Sequence, residues 1–248
     1  HSCQNDVPLY APSRKLTFNA PFVWLKVVWQ DFRRTPFHSL TYGTIFACIV
    51  GLLIYSSRFY PDVCLVGLFI SFLLVGPALA FGLYDISQQL ERKHKPTFGH
   101  ERRKALHEMG HELMLALLMG LAFLILLILI SMVFNISAIS QQPAVSAAVP
   151  MSDALSLSIA VIFAGLLFCA SAFALPMILD QDASAMTAII TSLNAVWQNK
   201  SVLALWALLI LALMAVGFAT ALIGFVFIVP VLGYATWHSY RGTIITKV

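Results

Sequence analysis

The chain has 248 residues, of which 60% are hydrophobic and only 10% are charged. A soluble domain carries about 25% charged residues, so lipid is the expected solvent for most of this chain. The net charge of +4 is gathered in short connections, which speaks for membrane orientation and against nucleic-acid binding.

Residues 1–20 form a polar tail without the basic start and apolar core of a signal peptide. Pro21–Arg34 reads as an amphipathic helix, with Phe22, Leu25, Val28, Trp29 and Phe32 on one face and Lys26, Asp31, Arg33 and Arg34 mainly off it. Asn19 or Ala20 is placed to cap it, and Pro21 suits its first turn. The spacing predicts spans over Phe37–Ser57 and Val63–Tyr84, joined by a tight turn at Arg58–Asp62. A third span is expected over Leu113–Ile139 and a fourth over Ala154–Leu179. A second amphipathic helix, 183–199, follows, with Met186, Ile189, Ile190, Leu193 and Trp197 on a face and Asp182 placed as its cap. Both amphipathic helices are expected to lie in the membrane interface, anchored by tryptophans such as Trp24, Trp29 and Trp197. Val202–Trp237 is 36 residues long, too much for one span at about 1.5 Å per residue. Gly217, Thr220 and Gly224 mark a turn, which divides it into spans 202–218 and 222–237.

Charge then sets the orientation. Arg14, Lys15, Lys26, Arg33 and Arg34 precede the first span, and Arg92, Lys93, Lys95, Arg102, Arg103 and Lys104 fill the second connection. Lys200 lies in the fourth connection, and Arg241 and Lys247 in the tail. The first connection has only Arg58, and the third has neither Lys nor Arg. Positive connections stay cytoplasmic. Six spans with both termini inside satisfy all these placements, whereas an odd number would put a basic segment outside. The expected fold is therefore an all-α polytopic bundle of six transmembrane helices, with two interfacial helices and one membrane domain, 21–248.

An internal repeat is also legible. A cytoplasmic helix precedes spans one, three and five, the middle one being Glu101–Glu112. Spans two, four and six carry Pro77, Pro176 and Pro230 toward their cytoplasmic ends. Either the bundle is three pseudo-repeated hairpins or membrane helices simply tolerate these prolines. Small residues four apart, such as Ala47 with Gly51, Ala78 with Gly82 and Gly165 with Cys169, suit close helix packing.

His107-Glu108-Met109-Gly110-His111 is an HExxH pattern. On a helix its two histidines share a face and could hold Zn²⁺, with Glu108 as base for a bound water. Asp180, Asp182, His100 or His238 would have to supply the third ligand. Against this, Glu112 places a charge directly after the second histidine, and no motif for a third ligand follows. The other reading is a polar, amphipathic start to a membrane helix. The histidines cluster at the expected cytoplasmic face, and no facing pair lies at depth to ligate haem. The spans carry no ionisable residue between their ends, which disfavours an ion-coupled transporter. Cys3, Cys48, Cys64 and Cys169 are scattered and imply no disulfide framework.

Trp29, Asp31, Pro36, Ser39, Leu40, Tyr42 and Gly43 begin a further pattern. Gly76-Pro77, Gly82-Leu83-Tyr84 and Ser87 continue it, as do Pro176-Met177 and Leu179-Asp180. Pro230, Leu232-Gly233, Ala235-Thr236-Trp237-His238 and Tyr240-Arg241 complete it. From about Trp24 to its end the chain resembles a bacterial family of six-span integral membrane proteins of unknown function. Some members are labelled cytochrome c oxidase subunits, and the resemblance implies a respiratory setting. The function expected is a non-catalytic accessory or scaffolding subunit without a cofactor, packed against other membrane subunits through residues such as Trp24, Trp29, Gly82, Pro77, Pro176, Trp197, Pro230, Trp237 and His238. The alternatives are a small-molecule transporter or permease, and a zinc metalloprotease using His107, Glu108 and His111, with Asp180 as a candidate ligand.

Overall fold

The structure is a computed structural model and describes residues 11–59, 76–94, 151–181 and 183–245, with scattered positions between 117 and 129. Eight helices are delimited among these residues: α1 Ala20–Arg34, α2 Pro36–Ser57, α3 Gly76–Glu91, α4 Met151–Ser171, α5 Ala174–Gln181, α6 Ala185–Gln198, α7 Lys200–Ala219 and α8 Phe225–Thr243. Three described segments are long and apolar enough to cross a membrane: Pro36–Ser56, Val161–Gln181 and Lys200–Ala219. Little of each is buried within the protein. Water does not tolerate that much uncovered apolar surface, and lipid does.

The expected span 63–84 is described only from Gly76, and the expected span 113–139 only at scattered positions. The helix that carries the second span does not stop at Tyr84 but continues to Glu91, and Asp85, Ser87, Gln88 and Gln89 are all buried in it. The first acidic residue marks the end of a span only when water waits there. Here α3 packs against α2, α5 and α8 instead.

Helix α8 is the hub, packing against α1, α2, α3, α5 and α7. Its buried side chains Phe225, Ile228, Tyr234, Trp237 and Tyr240 recur at helical spacing, and Tyr234, Trp237 and Tyr240 share one core with Leu83 and Ile86 of α3, Ile178 of α5 and Phe173 just before it. Pro230 lies inside α8. It has no N–H to give the carbonyl of Val226, one turn earlier. Gly43 of α2 lies against that peptide so closely that a Cβ on it would collide with the Val226 carbonyl. Only a glycine lets the two backbones approach this far. The phenol ring of Tyr42, beside it, lies over Gly82 of α3. The chain turns back between α7 and α8 at Thr220–Gly224, where Ala221 and Leu222 take φ of 50° and 73°. The ring of Phe225 fills the space over Gly217 and meets Phe46 at 5.4 Å.

The fourth expected span is broken into α4 and α5 at Ala172-Phe173. Pro176 explains the break, because it has no N–H for the carbonyl of Ala172. Ser192 of α6 repairs the gap: its hydroxyl donates to the Cys169 carbonyl at 2.7 Å and accepts from the Phe173 amide at 3.1 Å.

Helices α1 and α6 are equivalent in geometry. Each passes to the following apolar helix through one buried polar residue, Thr35 with φ −132° and ψ 52° and Asn199 with φ −121° and ψ 29°. Each junction residue also bonds back to the carbonyl four residues earlier, Thr35 Oγ1 to Asp31 at 3.0 Å and Asn199 Nδ2 to Ala195 at 3.1 Å. Their faces differ from the sequence reading. In α1, Trp24, Val28, Asp31 and Phe32 turn inward, whereas Phe22 and Trp29 turn outward. In α6 the small residues Ala185, Ala188, Ser192 and Ala195 face the protein, and Met186, Leu193 and Trp197 point away. Size explains α6, whose inner face meets other helices at short range and sends the bulky apolar groups to the lipid side. Ser184 caps α6, accepting from the Thr187 amide at 3.2 Å, and Asp182, expected in that role, lies outside the described residues. Asn19 precedes α1 without a side-chain cap, and Pro21 lies in its first turn.

Residues 11–17 form a strap. Ser13 pairs with Ile244 in an antiparallel bridge, with Arg14 N donating to Thr243 O at 2.8 Å and Ile245 N to Pro12 O at 2.9 Å. Asn199 receives the Leu16 amide at 2.7 Å and donates to the Arg14 carbonyl at 3.0 Å.

Candidate functional site

The chemistry-bearing side chains of the described residues converge at one end of the bundle, around the second half of α8. Three elements supply them because three helices end there: α3 at Glu91, α5 at Gln181 and α1 at Arg34.

The central group is Asp180. Its Oδ2 accepts from the Tyr240 hydroxyl at 2.9 Å and from Arg241 Nη1 at 3.3 Å, and its Oδ1 from Gln88 Nε2 at 3.2 Å. Gln181 donates to the same Tyr240 hydroxyl at 2.8 Å. Arg241 also reaches Glu91, with Nη2 at 2.9 Å and Nε at 3.1 Å from Oε1. The other Glu91 oxygen accepts from the indole of Trp237 at 3.3 Å. Burial, then the neighbouring charge of Asp180, push the Tyr240 phenol far above its ordinary value. It therefore stays a donor to Asp180 across the physiological range. Burial works against the Arg241 charge, but the hydrogen bond and charge of Glu91, with Asp180, outweigh it and raise the guanidinium above its ordinary value.

A second pair ties α1 to α8: His238 Nε2 lies 2.6 Å from Asp31 Oδ2. Below it, Ser39 Oγ donates to the Thr35 carbonyl at 2.8 Å and meets the Tyr234 hydroxyl at 2.8 Å. Asp31 is only 5% exposed, so its removal leaves His238 without the acceptor it is built around. A double-mutant cycle on Asp31→Asn and His238→Ala is expected to give a coupling of about 1–2 kcal/mol. Chemical unfolding in detergent measures it, and strictly additive losses would refute the pairing.

Of the residues expected from sequence to matter, Asp180, Trp237 and His238 meet here. Trp24 is buried nearby, edge-on to Trp206 at 5.7 Å. Gly82 and Pro230 serve the helix contacts described above, and Pro176 the break before α5. Pro77 occupies the second position of α3. Trp29 and Trp197 are not part of the site, being 56% and 76% exposed. His107, Glu108 and His111 lie outside the described residues. Among the described residues, no three His, Cys, Asp or Glu side chains are arranged to hold a metal ion. Asp31, Glu91, Tyr240 and Arg241 were not singled out as site residues from sequence. The available signal was Asp31, the only acid between residues 11 and 59, since a lone acid in a basic segment asks for a partner.

Long apolar helices with uncovered faces, closed at one end by a paired polar cluster, define an integral membrane helical bundle. The profile of a family described as "Predicted integral membrane protein (DUF2189)" matches residues 64–180. That stretch is similar to a membrane family without an assigned activity, and it ends at Asp180, so Asp31, His238, Tyr240 and Arg241 fall beyond it. No curated protein and no solved structure matches the chain.

Proposed function

We propose that this protein is a non-catalytic accessory or scaffolding subunit of a larger complex of the bacterial inner membrane, with a respiratory, cytochrome oxidase-associated complex as its setting. One observation carries the reading. Asp31, Glu91, Asp180, His238 and Arg241 are engaged with one another across helices, whereas α2 and α7 present long apolar faces outward. Polar chemistry serves to hold the bundle, and the uncovered surface is of the kind that packs against lipid and other membrane helices.

Six spans with cytoplasmic termini complete the proposal. The bridge between Ser13 and Ile244 supports an even number of crossings, because two chain ends bonded to each other lie on one side. The basic residues of the strap and of α1 favour the cytoplasmic side.

The test is purification of the native protein in mild detergent, with mass spectrometry of what accompanies it and metal analysis of the same sample. Respiratory subunits in fixed ratio, without zinc, are the expected result. A lone protein with about one zinc per chain would overturn the proposal and direct attention to His107, Glu108 and His111. Substrate uptake by the lone protein in vesicles would favour a transporter instead.

A further inference from the structure

We infer that the outward face of α1 is a contact site for anionic phospholipid headgroups, whereas the equivalent face of α6 inserts among lipids without regard to their charge. Phe22, Lys26, Trp29 and Arg33 are spaced four, three and four apart and so form one stripe along α1. All four are exposed, and Arg34 beside them is exposed as well. The Trp29 ring lies parallel to that of Phe32, with centroids 5.9 Å apart and planes 2° apart. The single acid of the helix is turned the other way: Asp31 is buried and bonded to His238. The outward surface is therefore cationic and aromatic, with no acid on it. Among the described residues Lys26, Arg33 and Arg34 make no ion pair. The strap adds Arg14 and Lys15, both exposed, just before the helix.

Position argues for a membrane surface as the occupant. A single residue, Thr35, separates α1 from the apolar helix α2, so the stripe lies where a spanning helix begins. Aromatic rings at that depth rest among headgroups and acyl ends, and Lys or Arg there meets phosphate.

The matching stripe on α6 is Met186, Ile190, Leu193 and Trp197, in the same spacing and the same relation to the next helix across Asn199. Its one cation is Lys200, whose Nζ lies 5.6 Å from the centre of the Trp197 ring. This face offers apolar area and little charge, and so serves as the internal control.

The experiment is boundary-lipid selectivity of the full-length protein in phosphatidylcholine vesicles containing spin-labelled phosphatidylglycerol or spin-labelled phosphatidylcholine. The native protein is expected to hold the anionic label in preference. Lys26→Gln, Arg33→Gln and Arg34→Gln together should lower that preference at least about fivefold, since even one cation near an anionic surface favours it by about that factor. Met186→Ser with Trp197→Ala should leave the preference as it was. Should the triple variant lose its helical circular dichroism, the native protein in about 1 M salt takes its place, where the Debye length is near 3 Å and the preference should fall likewise. No anionic preference in the native protein, or an undiminished one in both the triple variant and high salt, would overturn the inference. A preference lost with the α6 pair and kept by the α1 triple would overturn it as well.

Discussion

Gly43→Ala is expected to destabilise the bundle by about 3 kcal/mol, toward the upper end of what overpacking a tight contact costs. The added methyl has nowhere to go: the atoms it meets are the carbonyl, Cα and oxygen of Val226, which are backbone and cannot rotate away. Helix α2 has to back off from α8. With it go the Phe46–Phe225 contact at 5.4 Å and the Ser39–Tyr234 hydrogen bond at 2.8 Å. The proline is part of the reason, since Pro230 leaves the Val226 carbonyl without its helical donor and Gly43 is what covers it. Gly165→Ala is the control. A Cβ there meets nothing within 4 Å, and in mid-helix alanine is favoured over glycine by about 1 kcal/mol. Unfolding by a denaturing detergent compares the two, and equal behaviour would refute the close approach of α2 and α8.

Arg241→Ala has the second largest expected effect, a loss of about 2 kcal/mol. It strips one cation from two carboxyl groups at once, Glu91 at 2.9 Å and Asp180 at 3.3 Å. The Asp180 side chain is 11% exposed, so water cannot fully replace what is lost. The loss stays below that of a fully buried pair because the Arg241 side chain keeps 33% of its surface in solvent. Arg241→Ala combined with Asp180→Asn should cost less than the two changes added, since the double change leaves no stranded charge there. The same unfolding assay reads this. Additive losses would show that Arg241 acts on stability without Asp180.

Sequence patterning carried the helical membrane class, the apolar segments 37–57 and 202–218, which the structure bounds as Pro36–Ser56 and Lys200–Ala219, and the amphipathic character of residues 21–34 and 183–199, because each of these is a local property. Hydropathy and spacing act within one helix and need no knowledge of its neighbours. The tertiary structure decided the rest. Only the packed bundle shows that α3 runs on past Tyr84 with Asp85 and Gln88 buried, because only there do α5 and α8 replace water around those groups. Only packing turns Trp24 inward and Trp29 outward, on a helix whose sequence put Trp29 with Val28 and Phe32 on one apolar face. Only packing, too, joins Asp31 to His238 and Glu91 and Asp180 to Arg241, pairs between 61 and 207 residues apart. Pairing at that range is set by where helix ends meet, and helix ends meet where Gly43, Gly82 and Gly217 allow backbones and rings to close.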